Sequence, residues 1–426
     1  MKNKLIKFPN GLRMVFVPND AVRSVAVGVF VGSGVLVEKP EENGIAHFIE
    51  HMLFKGTATR SSFDIVREFD SVGAFVNAST GKENTKFYFR SLDTNAEKCF
   101  ELLSDMYFNS TFSQEELERE RKVIFEEIDE GEDDPYDVCD EHSMSEALKG
   151  TPFEKTILGT KESLARLTSE DLKRYHDEKY VASNTLISIA GNLTEERAVE
   201  LVNRYFTEHF DEKQFVLPTP QAVKRHSAFV SIDKQIEQAH VMLAFPSIDY
   251  SDKRGPALSM LSCIFSAEMS SRLFQSVREK LGLCYTIDGY NASYLNNGVY
   301  TIYTSTNKQS VKKAVEAIRR EVDLLLKDGI TDAELSLAKE KIKTAFVIGQ
   351  ESTNSMMNAY GRRAFLLDEL FDMDKRLEDI NNVTKEDVHN LAKEIFDTKN
   401  VCATLVSDGV DVNVLDAYLN YDSTQE

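Results

Sequence analysis

Apolar residues recur at every second position in RMVFV (residues 13–17), VAVGVFV (25–31) and KFYFRSL (86–92), which predicts β-strands. In FELLSDMYF (100–108) and VKKAVEAIRREVDLLL (311–326) the apolar residues return at helical spacing instead. The chain is therefore of mixed α/β class. Periodicity fails in FDEKQFVLPTPQAVKRHS near the midpoint, where Pro218 and Pro220 mark a linker. The expected organisation is a domain over 1–211, a linker over 212–226 and a second domain over 227–426. At 426 residues the chain exceeds the size at which single cores stop growing, about 250–300 residues, so two domains are reasonable on length alone.

The two halves resemble each other. LARLTSEDLKRY near residue 168 is echoed by INNVTKEDVHNL near 384, and TFSQEELERERKVI (111–124) by GITDAELSLAKEKI (329–342), at almost the same offset. A helix cap followed by an acid is common, so one echo means little; two in order at a shared offset point to duplication.

Composition narrows the function. A net charge of -20 disfavours a surface that grips nucleic acid, which is held by Lys and Arg. Attraction of basic peptides is the weaker converse. The five cysteines (Cys99, Cys139, Cys263, Cys284, Cys402) are scattered without a CxxC pair, as suits reduced thiols. The first residues lack an apolar signal core, and no apolar run approaches the length of a membrane span. These features lead us to expect a cytoplasmic protein that does not insert in a membrane.

The chemistry concentrates in GIAHFIEHMLFKG (44–56). On a helix, residues three and four apart share a face, so His47, Glu50 and His51 project together. Two imidazoles suit zinc, a catalytic zinc takes three protein ligands, and a neighbouring carboxylate can accept a proton from water. HxxEH also arises by chance, so a third ligand is needed. In EELERERKVIFEEIDE, an apolar stripe read through Val123, Ile124 and Ile128 puts Glu120 and Glu127 on the inward side and Glu126 almost opposite. An isolated acidic pair would ordinarily meet basic side chains or water. Beside HxxEH, a metal is the better source of compensating charge.

AHFIEHMLFKGT followed by ERKVIFEEI resembles the inverted-zincin peptidases of family M16, the pitrilysin and mitochondrial-processing-peptidase group, whose HxxEH reverses the commoner HExxH. The resemblance extends through GAFVNAST and MSSRLFQSVREKLGLCY, and so along essentially the whole chain. It implies two homologous halves, each a mostly antiparallel sheet packed with helices in a LuxS/MPP-like metallohydrolase fold. It implies one zinc per chain held by His47, His51 and Glu127, with Glu50 activating water and Glu120 as a carboxylate behind the ligands. It further implies that Arg278 and Tyr285 reach toward substrate, that Asn77 and Ala78 lie on the edge strand that receives it, and that chains of this size pair, here as a homodimer. The implied activity is zinc-dependent cleavage of peptides or unfolded segments.

The second half carries no equivalent metal set: at the duplication offset, Glu120 and Glu127 fall opposite Ala338 and Ala345. Ser266, Ala267 and Glu268 stand where relatives often have glycines, which puts the shape of that loop in question. The acidic run EEIDEGEDDPYD reads as a solvated turn beyond Glu127. His142, His176, His209, His226, His240 and His389 lack ligand-spaced partners and read as structural, as do the cysteines. Two other classes compete with a peptidase: a non-catalytic scaffold or peptide-binding protein, and a metal hydrolase acting on a non-peptide substrate.

Overall fold

The computed structural model describes residues 3–421. The chain divides into two compact units, each with its own sheet.

In unit 1 the strands are β1 (Lys4–Lys7), β2 (Arg13–Pro18), β3 (Ser24–Val31), β4 (Phe75–Thr80), β5 (Thr85–Leu92) and β6 (Thr185–Gly191), in spatial order β1-β2-β6-β3-β5-β4. Every pairing is antiparallel except β2 with β6. Unit 2 repeats the plan with β7 (Ala228–Asp233), β8 (Gln238–Pro246), β9 (Cys284–Asp288), β10 (Asn291–Tyr294), β11 (Asn297–Asn307) and β12 (Cys402–Ser407). Its order is β10-β11-β8-β12-β7 with β9 also on β11, and its single parallel pair, β7 with β12, stands where β2 and β6 stand in unit 1. The mixed α/β class and the internal duplication are thus both present in the topology.

The units are not contiguous halves. Unit 1 takes residues 1–128, 155–218 and 347–372; unit 2 takes 129–154, 219–346 and 373–426. Each half therefore gives a helix to the other's unit. Cutting the chain at the linker over 212–226, which forms no helix or strand, does not reproduce this exchange.

The reason shows in the sheet of unit 1, which needs cover on both faces. Val25, Val27, Val29 and Val31 of β3 face the main core, whereas Ala26 and Phe30 face the helix Thr353–Leu367 contributed by the later half. Small residues let that helix approach closely. A Cβ on Gly28 would lie 2.4 Å from Met357 Sδ, and one on Gly361 would lie 2.5 Å from the Phe30 ring. In unit 2 the reciprocal helix Pro135–Ala147 packs Cys139 among Met242, Tyr303 and Val406. Among the described residues, no helix is long and apolar enough to cross a membrane.

The four helices that follow in the first half are α1 (Ile45–Leu53), α2 (Ser62–Ser71), α3 (Ala96–Asn109) and α4 (Gln114–Asp133), the last turn of α4 belonging to unit 2.

Candidate metal centre

Helix α1 is amphipathic in an unusual sense. Ile45, Phe48, Ile49 and Met52 enter the core, and the opposite side carries the polar trio His47, Glu50 and His51. Its start is fixed by Gly44 at φ +92°, where a Cβ would meet the Leu158 carbonyl oxygen at 2.5 Å. Glu38 then caps the buried backbone donors at the helix start: its carboxylate accepts from Gly44 N at 3.1 Å and Ala46 N at 3.0 Å. Asn43 Nδ2 donates to the same group at 2.9 Å. Burial pushes the Glu38 carboxyl up despite these donors.

Helix α4 supplies the acids. Leu117, Glu120, Arg121 and Ile124 form its buried side, while Val123 is 48% exposed. The stripe is thus centred one position away from the Val123–Ile124 line. The apolar residues alone mark it poorly, because two of its members are charged. Arg121 tolerates the interior by donating to the Leu164 and Leu167 carbonyls. Glu120 and Glu127 remain on the inward side and Glu126 is exposed.

His47, His51 and Glu127 each bring one ligand atom to within 4.8 Å of the others. His47 Nε2 and His51 Nε2 lie 3.8 and 3.7 Å from the same oxygen of Glu127, Oε2. Those separations are too long for hydrogen bonds. They suit three donors sharing a cation with bonds of about 2.0–2.2 Å. Burial, helped by the adjacent His51, holds the His47 imidazole down at about 3, so it stays neutral and keeps a lone pair for a cation. The donor set fits zinc.

Behind this trio, Glu120 Oε2 lies 3.1 Å from His51 Nδ1, and Lys55 Nζ donates to Glu120 Oε1 at 2.7 Å. Burial alone would raise the Glu120 carboxyl, but these two donors hold it below the usual range. Such a carboxylate fixes the ring's tautomer and leaves the other nitrogen free to ligate. Glu50 accepts from the Thr80 hydroxyl, and burial raises its carboxyl above the ordinary value. The sequence reading missed Thr80, Lys55 and Glu38. Only Lys55 left a signal, four residues after His51 and so on the same side.

Thr80 ends β4, the free edge of the sheet. Asn77 and Ala78 lie on this strand, Asn77 exposed with its Oδ1 accepting from Ala78 N at 2.8 Å. Arg278 and Tyr285 belong to unit 2 and are brought together there: the guanidinium stacks 4.4 Å over Phe274 and 5.0 Å over Tyr285, a residue that is 75% exposed. Ser266 is buried, with its Oγ 2.6 Å from the Tyr300 hydroxyl, and Glu268 pairs with Lys341. The φ of Ser266, -137°, is ordinary, so no glycine is required at that position.

Comparison with known proteins agrees with this architecture. Residues 13–161 match the family model described as insulinase, peptidase family M16, and residues 166–342 match that described as the peptidase M16 inactive domain. The chain is 37% identical over 399 residues to a zinc protease, YmxG, of Bacillus subtilis, covering 93% of this chain and 96% of the relative. It is 34% identical over 392 residues to a zinc protease of Rickettsia felis, covering 92% and 94%. In fold it matches the crystal structure of a protease from Helicobacter pylori with a TM-score of 0.89 at 22% identity, over 95% of this chain and 99% of that one. A duplicated α/β scaffold with a His–His–Glu cluster places it in the class of metallopeptidase-like proteins. The chain belongs to peptidase family M16.

Proposed function

We propose that this protein is a zinc-dependent endopeptidase acting on peptides or unfolded segments. The observation that carries the reading is the convergence of His47, His51 and Glu127 on one point, with Glu50 beside them at the open edge strand.

His47 Nε2, His51 Nε2 and Glu127 would hold one zinc per chain, which supplies Lewis acidity toward water and a peptide carbonyl. Glu50 is the general base: it takes the proton of the attacking water and passes it to the leaving amine. Its burial favours this role, because a carboxyl raised above the ordinary value is a stronger base than an ordinary carboxylate and so takes the water's proton more readily. The Thr80 hydroxyl orients it. Glu120, held by Lys55, keeps His51 in the ligating tautomer.

An extended substrate would add to β4 through main-chain hydrogen bonds near Asn77 and Ala78, which gives loose sequence preference. The family resemblance proposes Arg278 and Tyr285 as donors to the carbonyl oxygen as it gains negative charge. The chain is expected to work as a homodimer in the cytoplasm, without nucleic acid or membrane.

A quenched-fluorescence peptide library tests the reading. Cleavage by the wild type, abolished by chelator and in Glu50→Gln, is the expected result. A protein that binds zinc and spares every peptide would favour a non-peptide substrate; one that neither binds metal nor cleaves would be a scaffold.

A further inference from the structure

The sheet of unit 1 has a second face, away from the metal cluster. Phe87 and Phe89 of β5 enter the main core with α1, so the alternate residues Lys86 and Tyr88 lie on the face covered by the helix Thr353–Leu367. Ser79 of β4 is the register partner of Lys86, shares that face and is exposed. A cavity of about 220 Å³ opens there, lined by Phe30, Ser79, Asn84, Lys86, Asn358 and Arg362 among others. It is smaller than the usual ligand pocket of about 300–1,000 Å³ and suits one side chain.

Two cations line this cavity and no acid does. Arg362 lies 3.8 Å from the buried Glu83. Lys86 is held by neutral groups: its ammonium donates to Asn358 Oδ1 at 2.6 Å and lies 4.9 Å from the centre of the Tyr88 ring and 5.9 Å from that of Phe30. Among the described residues no carboxylate stands within ion-pair distance of it. Burial lowers the Lys86 ammonium from its ordinary value, and the charge of Glu50 opposes this. For packing between two rings a methionine would serve as well, without a charge to desolvate. What Lys86 adds is a positive charge at a cavity.

The place of that charge relative to the edge of the sheet is the second observation. β4 is the outermost strand, so a peptide strand added to it lies one strand spacing beyond Ser79 and two beyond Lys86, about 10 Å. Every second side chain of such a strand points to the face of Ser79. A lysine stem from one side and a glutamate from the other together span that gap, and serine is too short to stand between them.

The geometry points to Lys86 as a specificity-determining residue: the cavity receives an acidic side chain of the bound peptide, whose carboxylate pairs with the Lys86 ammonium across Ser79. Asn358 holds the ammonium in position, and Arg362 adds to the positive field. The net charge of -20 repels acidic peptides at long range, so the preference is a local effect of this cavity. The inference rests on the peptidase reading and names a feature of the substrate.

The test uses quenched peptides identical except for one residue, glutamate or glutamine, moved along the sequence, with the cleaved bond located by mass spectrometry. For the wild type, glutamate should exceed glutamine in kcat/KM about fivefold at one position, chiefly through KM, and the ratio should shrink as sodium chloride is raised. Lys86→Met, which keeps the apolar stem, should bring the ratio to about one. Lys86→Arg should retain the preference, and Ser79→Leu should abolish it with Lys86 in place. Each ratio is taken on one enzyme preparation, so partial unfolding of a variant cancels from it. A wild type that prefers glutamate at no position, or a ratio unchanged by Lys86→Met, overturns this inference alone. Absence of any cleavage by the wild type overturns the peptidase reading and this inference with it.

Discussion

The two units share a sheet plan and differ in what one helix buries. In unit 1, α4 buries Glu120, only 5% exposed, and that acid is tolerated because His51 and Lys55 both donate to it. In unit 2 the position at the duplication offset is Ala338, 1% exposed, on the helix Asp332–Gly349, and it needs no partner. Glu127 likewise corresponds to the exposed Ala345. The helix Gly255–Phe265 offers Ser and Cys among its apolar residues and no histidine. A buried carboxylate costs several kcal/mol unless compensated, so Glu120 stands with its donors in unit 1 and an alanine stands without them in unit 2. The scaffold was duplicated, and the polar cluster stands in one copy.

The strongest break in this comparison comes from Glu50, the proposed general base. Glu50→Gln should lower kcat/KM by about 10³-fold in the peptide assay while zinc content stays unchanged. Next, Ala338→Glu places in unit 2 the acid of unit 1 without its donors. Urea denaturation should show a loss of about 3 kcal/mol, whereas a neutral result would mean that unit 2 can satisfy the charge after all. Glu120→Gln should weaken zinc about tenfold or more, read by competition with a chromogenic chelator.

The smallest effect close to neutral pH is on the pH dependence of protein stripped of metal. His47 stays neutral when folded down to about 3, but protonates near 6.5 when unfolded. Between those values the unfolded chain binds more protons, so stability is full above about 6.5 and declines as pH falls, by at most about 1.4 kcal/mol per pH unit. His47→Gln should remove that slope.

Much of the cluster was legible in sequence because helical spacing alone puts His47, Glu50 and His51 on one face, and Glu120 and Glu127 on another. The α4 stripe was read slightly off. Val123 reads as inward because it is apolar, whereas the buried side includes Glu120 and Arg121, which are interior only because of partners distant in sequence. Thr80 was invisible for the same reason, since its link to Glu50 exists only once β4 lies beside α1. The exchanged helices could not be found either. Met357, Tyr360, Gly361 and Ala364 show ordinary helical spacing, and nothing in that spacing says which sheet they cover. Small residues at Gly28 and Gly361 were the trace, and they acquire meaning only in contact.

Elemental analysis of protein purified without chelators, wild type beside His47→Ala and Glu127→Ala, tests the central claim most directly. One zinc per chain in the wild type, lost in both variants with the fold intact by circular dichroism, is the result expected. Wild-type protein without zinc, or zinc that persists when His47 or Glu127 is removed, would contradict it.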